Sequence, residues 1–278
     1  MGTALALVLY AAVLVPVAAA VWLRPVLALY LFVVGLALHN AAMAGLYGLG
    51  IRGGPLTAIQ AWKDVLLAVA VASVGLGAWR ARRLPFRLGR VDALALGFAA
   101  LVAVYAVVPQ DVLGGSAGPK GVLYGLRHDL SPVAAYFIGR SLALGRTELR
   151  RLAWTVLGVA GAVAAFGLVE EYAVSLDWWA RHGAVGYFND QLGFDYQGPR
   201  RLPENFVFNS GNEQELARRL VSTFLSPLGA SYLFVVALLV AACVRLRRRR
   251  VALALAGLIA VGLLFTFSRA SIAAAALG

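Results

Sequence analysis

Apolar residues along this chain come in blocks, not at the spacing of a half-buried helix or strand. Stretches of roughly 15–21 mostly apolar residues alternate with short Arg-rich breaks, over about 4–23, 25–44, 64–79, 91–108, 131–145, 152–172, 227–244 and 251–267. A helix of that length matches the hydrocarbon thickness of a bilayer. The pattern therefore predicts an all-α polytopic membrane protein with about eight transmembrane helices. A membrane barrel needs short segments of alternating hydrophobicity, and none appear. Pro25, Pro132 and Pro227 fall near the starts of three stretches, where a missing backbone N–H costs little.

The breaks carry the orientation. Fourteen of the 25 basic residues lie in three clusters, 80–90, 140–151 and 245–250, each beside an apolar stretch. Cytoplasmic loops have this character, which places segments 45–63, 109–130 and 173–226 on the outer side, with the N-terminus. The longest, 173–226, balances six carboxylates against five arginines and holds Trp178, Trp179, Tyr187, Phe188, Phe194, Tyr196, Phe206 and Phe208. That aromatic content predicts an ordered cap on the membrane surface, not a tether. Ser210 to Glu213 form a capping-box pattern, so a short helix is expected over about 212–222. No soluble domain, internal repeat or low-complexity linker stands out. Residues 1–278 read as a single transmembrane domain with 173–226 as an extracytoplasmic loop between the sixth and seventh stretches.

Composition sharpens this picture. The chain is 61% hydrophobic and 14% charged, with a net charge of +12. The placement of the arginines, and the lack of a basic groove interleaved with aromatics, argue against a nucleic-acid partner. Cys243 is the single cysteine, so neither a disulfide framework nor a cysteine metal site is expected. His39, His128 and His182 are too scattered for a metal cluster, and no cofactor is implied. The first 23 residues lack Lys and Arg, so they read as a membrane helix and not as a cleaved signal peptide.

The candidate chemistry centres on arginine. Arg269 stands at the far end of the eighth stretch, where a guanidinium in or near hydrocarbon usually faces a cavity, an ion partner or an anionic substrate. Nine residues follow it, about 14 Å of helix. That is half a membrane crossing, so the expectation is of a C-terminally incomplete membrane element and a longer protein. Arg218 and Arg219 precede the seventh stretch, with hydroxyls at Ser222 and Thr223. Two spans return the chain to the same face, bringing Arg219 and Arg269 to the outer side. Two guanidiniums there suit a phosphate or pyrophosphate, since each offers forked donors to paired oxygens; the alternative is a pair of solvated interfacial arginines. Lesser candidates are Glu170-Glu171 at the end of the sixth stretch, as acid–base groups or a water-boundary pair, and His128 before the fifth, as an acceptor-site base or a plain interfacial histidine. Lys63-Asp64 reads as an interfacial pair, and His39 with Asn40 as helix–helix hydrogen-bonding groups.

Arg219-Leu-Val-Ser-Thr-Phe-Leu-Ser-Pro227, leading into an apolar helix after a long outer loop, resembles the R-x-x-G-T-F-x-N-P-N stretch of the O-antigen ligase and O-antigen polymerase superfamily. Phe265-Thr-Phe-Ser-Arg269-Ala resembles that family's T-x-S-R-G/A motif. Ser222 stands in place of the Gly, and Ser226 and Leu228 in place of the two Asn. The resemblance implies a transferase of the bacterial inner membrane with a polyprenyl-pyrophosphate-linked glycan as donor. Arg219 and Arg269 would hold the pyrophosphate, supported by Ser222, Thr223 and Ser268. The acceptor would be lipid A core, another repeat unit or a protein hydroxyl. It also implies a general-base histidine in a later outer loop, past residue 278. Two other classes stay open at this point. One is a transporter or channel with Arg269 and Glu170 along a polar path, which a repeat of broken helices would favour; the other is a non-catalytic membrane scaffold.

Overall fold

The computed structural model describes residues 2–209, 216–244 and 248–277. Its long helices follow the apolar blocks: α1 (Thr3–Leu23), α2 (Val26–Gly48), a short α3 (Gly54–Gln60), α4 (Trp62–Ala81), α5 (Arg90–Val107), α6 (Pro119–Ser141) and α7 (Arg146–Ala173). Two short turns, α8 (Leu176–Arg181) and α9 (Ala184–Gly186), lie in the cap, and α10 (Pro227–Cys243), α11 (Arg249–Phe265) and α12 (Arg269–Leu277) complete the order. Among the described residues, α1, α2, α4, α5 and α7 are long and apolar enough to cross a membrane, and α10 is a shorter apolar helix. The protein is thus a helical, multi-pass membrane protein by composition and length. At 17 residues each, α10 and α11 reach only about 25 Å. α6 is long but carries Arg127, His128, Asp129 and Arg140.

Three local expectations change. Helix α6 starts at Pro119, so Pro132 lies inside it, and the outer segment expected to run to residue 130 is half helix. Pro119 takes the first-turn position, where its missing N–H is harmless. The helix expected over 212–222 is replaced at 216–218 by strand β2 (Leu216–Arg218), antiparallel to β1 (Val207–Asn209). There the backbone donors find partners across the hairpin and not four residues back. Residues 210–215, with the capping-box pattern, lie outside the described residues, as do 245–247 of the third basic cluster.

The chain divides into two compact units. One holds Met1–Leu14, Leu29–Trp62 and Leu144–Gly278, the other Val15–Ala28 and Lys63–Ala143. In the first, α7, α10 and α11 pack through Leu157, Ala160, Ala164, Phe234, Ala237, Ile259 and Leu263. Small residues set the closeness of approach, as in membrane bundles generally: a Cβ on Gly262 would lie 2.9 Å from that of Ala164. In the second, α5 packs on α6. The buried Asp92 accepts from Gly89 N–H at 2.7 Å, Tyr136 Oη at 2.7 Å and Arg140 Nε at 2.9 Å.

The segment 173–226 is an ordered cap wherever it is described. Trp179, Tyr187, Phe188, Leu202, Phe206, Val221 and Leu225 form one core with Met43, Ala44, Tyr47, Ile51, Leu56 and Ile59. Their buried aromatic area offsets the entropy of ordering an otherwise irregular chain. His39 accepts from Trp62 Nε1 at 3.1 Å, and Asn40 donates to the Phe224 carbonyl at 2.7 Å, so both polar groups of α2 bond to neighbouring elements. The tightest approach to backbone is at Gly183, at φ +97, where a Cβ would sit 2.2 Å from the Ala44 carbonyl oxygen and 2.6 Å from Gly48 N. Both obstacles are backbone and cannot turn aside. Gly183→Ala is expected to destabilise the first unit by about 2–4 kcal/mol, from left-handed strain plus overpacking. Thermal unfolding in detergent checks this, and an unchanged melting temperature refutes the close approach.

Candidate functional site

Arg218 ends strand β2 and Arg219 follows it directly, and the two side chains take different tasks. Arg218 turns back toward the end of α7. Its guanidinium pairs with Glu170 and donates to the Val174 carbonyl, and its Nε stands 3.6 Å from Glu171 Oε2. Glu170 is fully buried and also accepts from Trp179 Nε1 at 2.8 Å and from Ser222 N–H at 3.3 Å. One carboxylate thereby ties together the end of α7, the cap helix α8, strand β2 and the turn Ser222–Phe224.

Arg219 faces the other way. Its backbone N–H extends the hairpin to the Phe206 carbonyl at 2.9 Å. The next residue, Leu220, donates to the Phe265 carbonyl at 2.9 Å. The guanidinium then spans the break between α11 and α12: Nε donates to the Thr266 carbonyl at 2.8 Å and Nη2 to Ser268 Oγ at 3.2 Å. This break is where Arg269 begins α12. Arg269 is exposed, its guanidinium 5.7 Å from the Phe208 ring centre, and Phe208 stacks on Phe267 at 5.7 Å. Among the described residues it forms no ion pair. Burial pulls the pKa of both Arg218 and Arg219 below the ordinary arginine value, yet arginine stays protonated in proteins. Each is therefore a partly desolvated fixed cation, and its field is correspondingly stronger than in water.

Both arginine segments bend through left-handed backbone at residues that are not glycine: Ser222 at φ 49, Leu225 at φ 48 and Phe267 at φ 50. Such positions carry strain and persist only where their surroundings fix them. Ser222 Oγ donates to the Val163 carbonyl at 2.7 Å and Thr223 Oγ1 to the Ala37 carbonyl at 2.6 Å. These hydroxyls are spent clipping the turn to α7 and α2. Ser226 caps α10, accepting from Gly229 N–H at 3.2 Å.

The structure thus brings Arg219, Ser268 and the start of α12 into one feature, backed by Ser222 and Thr223. His128 lies in the second unit, exposed on α6, without a hydrogen bond to a described residue. Asp64 forms an ion pair with Arg127 of α6. His182 stacks on Trp178 at 4.2 Å. Sequence reasoning missed Arg218 and Glu170 as a buried pair, and Phe208 and Phe267 as neighbours of Arg269. Part of the signal for the first was present: a tandem Glu pair at the end of an apolar stretch, with tandem Arg pairs at 200–201 and 218–219 in the loop that follows. Among the described residues no cluster of His, Cys, Asp and Glu is arranged to hold a metal ion. In comparisons with protein-family models, curated proteins and solved structures, the chain matches none of them.

Proposed function

We propose that this protein is a lipid-linked glycan transferase of the O-antigen ligase and polymerase kind. It has about eight spans in the bacterial inner membrane and works at the outer face. It moves a glycan from a polyprenyl-pyrophosphate donor to an acceptor hydroxyl on a lipid, glycan or protein. The observation that carries this reading is the clamp of the Arg219 guanidinium on the Thr266–Ser268 turn. It joins the two arginine motifs, two helices apart in sequence, at one place. Two of the three substitutions within the first motif make physical sense, while that of Leu228 has no structural explanation. Ser222 occupies a left-handed conformation at the position where the family motif has Gly, and Ser226 is a helix N-cap where the motif has Asn, an equally good cap.

In the reaction, the acceptor oxygen attacks the anomeric carbon as the bond from that carbon to the pyrophosphate oxygen breaks. The hydroxyl proton passes to a general base. Arg219 and Arg269 oppose the negative charge that grows on the departing pyrophosphate, and such fixed donors act most strongly where water is excluded. Ser268 Oγ and the Thr266 carbonyl hold one guanidinium in place before substrate arrives, so orientation costs little during reaction.

The test uses the protein expressed from its full reading frame and reconstituted with a polyprenyl-pyrophosphate-linked oligosaccharide and an acceptor glycolipid. Coupled appearance of extended acceptor and free polyprenyl pyrophosphate supports the transferase. Movement of the glycan or of ions across the vesicle with no covalent product overturns it in favour of a transporter. Sidedness is checked separately with Cys243 replaced by Ser. A cysteine at 195, in the cap, should label from outside, and one at 248 only after permeabilisation. Labelling of both from the same side refutes the orientation.

A further inference from the structure

The second unit contains an open cleft of about 770 Å³ that has no part in the arginine site. Its apolar wall includes Val74, Leu84, Phe86 and Leu142, and Arg83 and Arg87 stand at its rim. Gly77, Ala78 and Ala81 of α4 keep one wall low. Such a cleft is amphipathic, with apolar side chains and two arginines in its lining.

The charge at that edge is uncompensated, and the reason is specific. The acidic group in this region, Asp92, is engaged by Arg140 through Nε at 2.9 Å and Nη2 at 3.1 Å. Neither Arg83 nor Arg87 makes a side-chain hydrogen bond or ion pair with a described residue; both are exposed. The loop carrying them is also held in place. Arg140 Nη2 donates to the Arg87 carbonyl at 3.1 Å, its guanidinium lies 5.0 Å from the Phe86 ring centre, and Phe86 stacks on Phe137 at 5.9 Å. Arg82, next to Arg83, turns through φ 50. Arg140 therefore neutralises Asp92 and fixes the loop, which leaves Arg83 and Arg87 as positioned cations beside an apolar trough.

The geometry points to a binding site for an anionic phospholipid, with the phosphate between Arg83 and Arg87 and an acyl chain along Val74, Leu84 and Phe86. Forked donors suit a phosphodiester, and basic pockets between membrane helices bind anionic head groups by this combination. A zwitterionic lipid offers the same acyl chain without net charge, so the preference should come from the two arginines. This inference is independent of the transferase reading.

Native mass spectrometry of the purified full-length protein, equilibrated with equal dioleoyl phosphatidylglycerol and dioleoyl phosphatidylcholine, tests it. Retention of phosphatidylglycerol is expected to exceed phosphatidylcholine by roughly tenfold or more. Arg83→Gln and Arg87→Gln should each cut that preference by roughly threefold, and together bring it near parity. These residues are exposed, and circular dichroism with the melting temperature checks that each variant folds; the single variants suffice if the double does not. Arg150→Gln with Arg151→Gln, exposed residues of another basic cluster, should leave the preference unchanged. Equal retention of the two lipids overturns the site. So does an equal loss in the Arg150/Arg151 variant, which would assign the effect to general surface charge. Displacement of the lipid by millimolar inorganic phosphate also overturns it, because the cleft would then read a free anion.

Discussion

Arg218→Ala is expected to destabilise the cap by about 3–5 kcal/mol, the cost of leaving a buried carboxylate without its cation. Glu170 is fully buried at the end of α7, and Arg218 is the one cation paired with it among the described residues. Its remaining bonds, from Trp179 Nε1 at 2.8 Å and Ser222 N–H at 3.3 Å, solvate the carboxylate but do not balance its charge. Loss of Arg218 should therefore loosen α8, β2 and the 222–224 turn together. Limited proteolysis within 180–210 should accelerate in intact membranes while the core of α7, α10 and α11 stays protected. Arg218→Met with Glu170→Met should regain much of the loss, since a buried pair replaced by apolar groups of similar volume is often near neutral. Recovery stays incomplete because the Trp179 and Ser222 donors lose their acceptor. A single Arg218→Ala variant as resistant as wild type would show that the pair does not hold the cap.

Helical character was legible because it rests on composition summed over long windows. Blocks of Leu, Val and Ala exclude other ways of satisfying the backbone in hydrocarbon, and the start of α10 at Pro227 follows from the proline together with the Ser226 cap before it. The boundary of α6 was not legible, since Arg127, His128 and Asp129 look like loop residues until Arg127 finds Asp64 across the unit. Strand β2 was missed for a related reason. Leu216-Ala-Arg218 has no strand signature of its own, and its conformation depends on pairing with β1. Local propensity is a weak prior wherever a tertiary partner supplies the hydrogen bonds.

The arginine site shows the same division. The two apolar stretches between Arg219 and Arg269 predict that both lie on one face, and the structure brings the Arg219 side chain to the turn just before Arg269. The means was not legible, because it depends on a carbonyl, Thr266 O, and on the left-handed turn at Phe267 that presents it. The expected anion-binding role of Ser222 and Thr223 gives way to a structural one: both hydroxyls go to helix carbonyls. A sequence displays hydroxyls but does not say which backbone oxygen will claim them.

The largest functional effect is expected at Arg219 and Arg269. Within the proposed transferase, Arg219→Ala and Arg269→Ala should each lower glycan transfer by about 10²–10³-fold, the usual scale for removing one fixed donor from a developing oxyanion. The double variant should fall by less than the product of the two, since groups that act as a unit are not additive. Lysine should separate their roles. Arg219 uses two different nitrogens, Nε to the Thr266 carbonyl and Nη2 to Ser268 Oγ, and an ammonium offers no planar fork to bridge both. Arg219→Lys should therefore be nearly as poor as Arg219→Ala. Arg269 lies over the face of Phe208, and an ammonium keeps both the charge and the ring contact. Arg269→Lys should retain measurably more transfer than Arg219→Lys, with the loss mainly in kcat. Membrane insertion, read by labelling at 195 and 248, should match wild type in all four single variants. Full transfer in both alanine variants would remove the arginine pair from the mechanism. Lysine variants of equal activity would remove the clamp at Thr266 and Ser268.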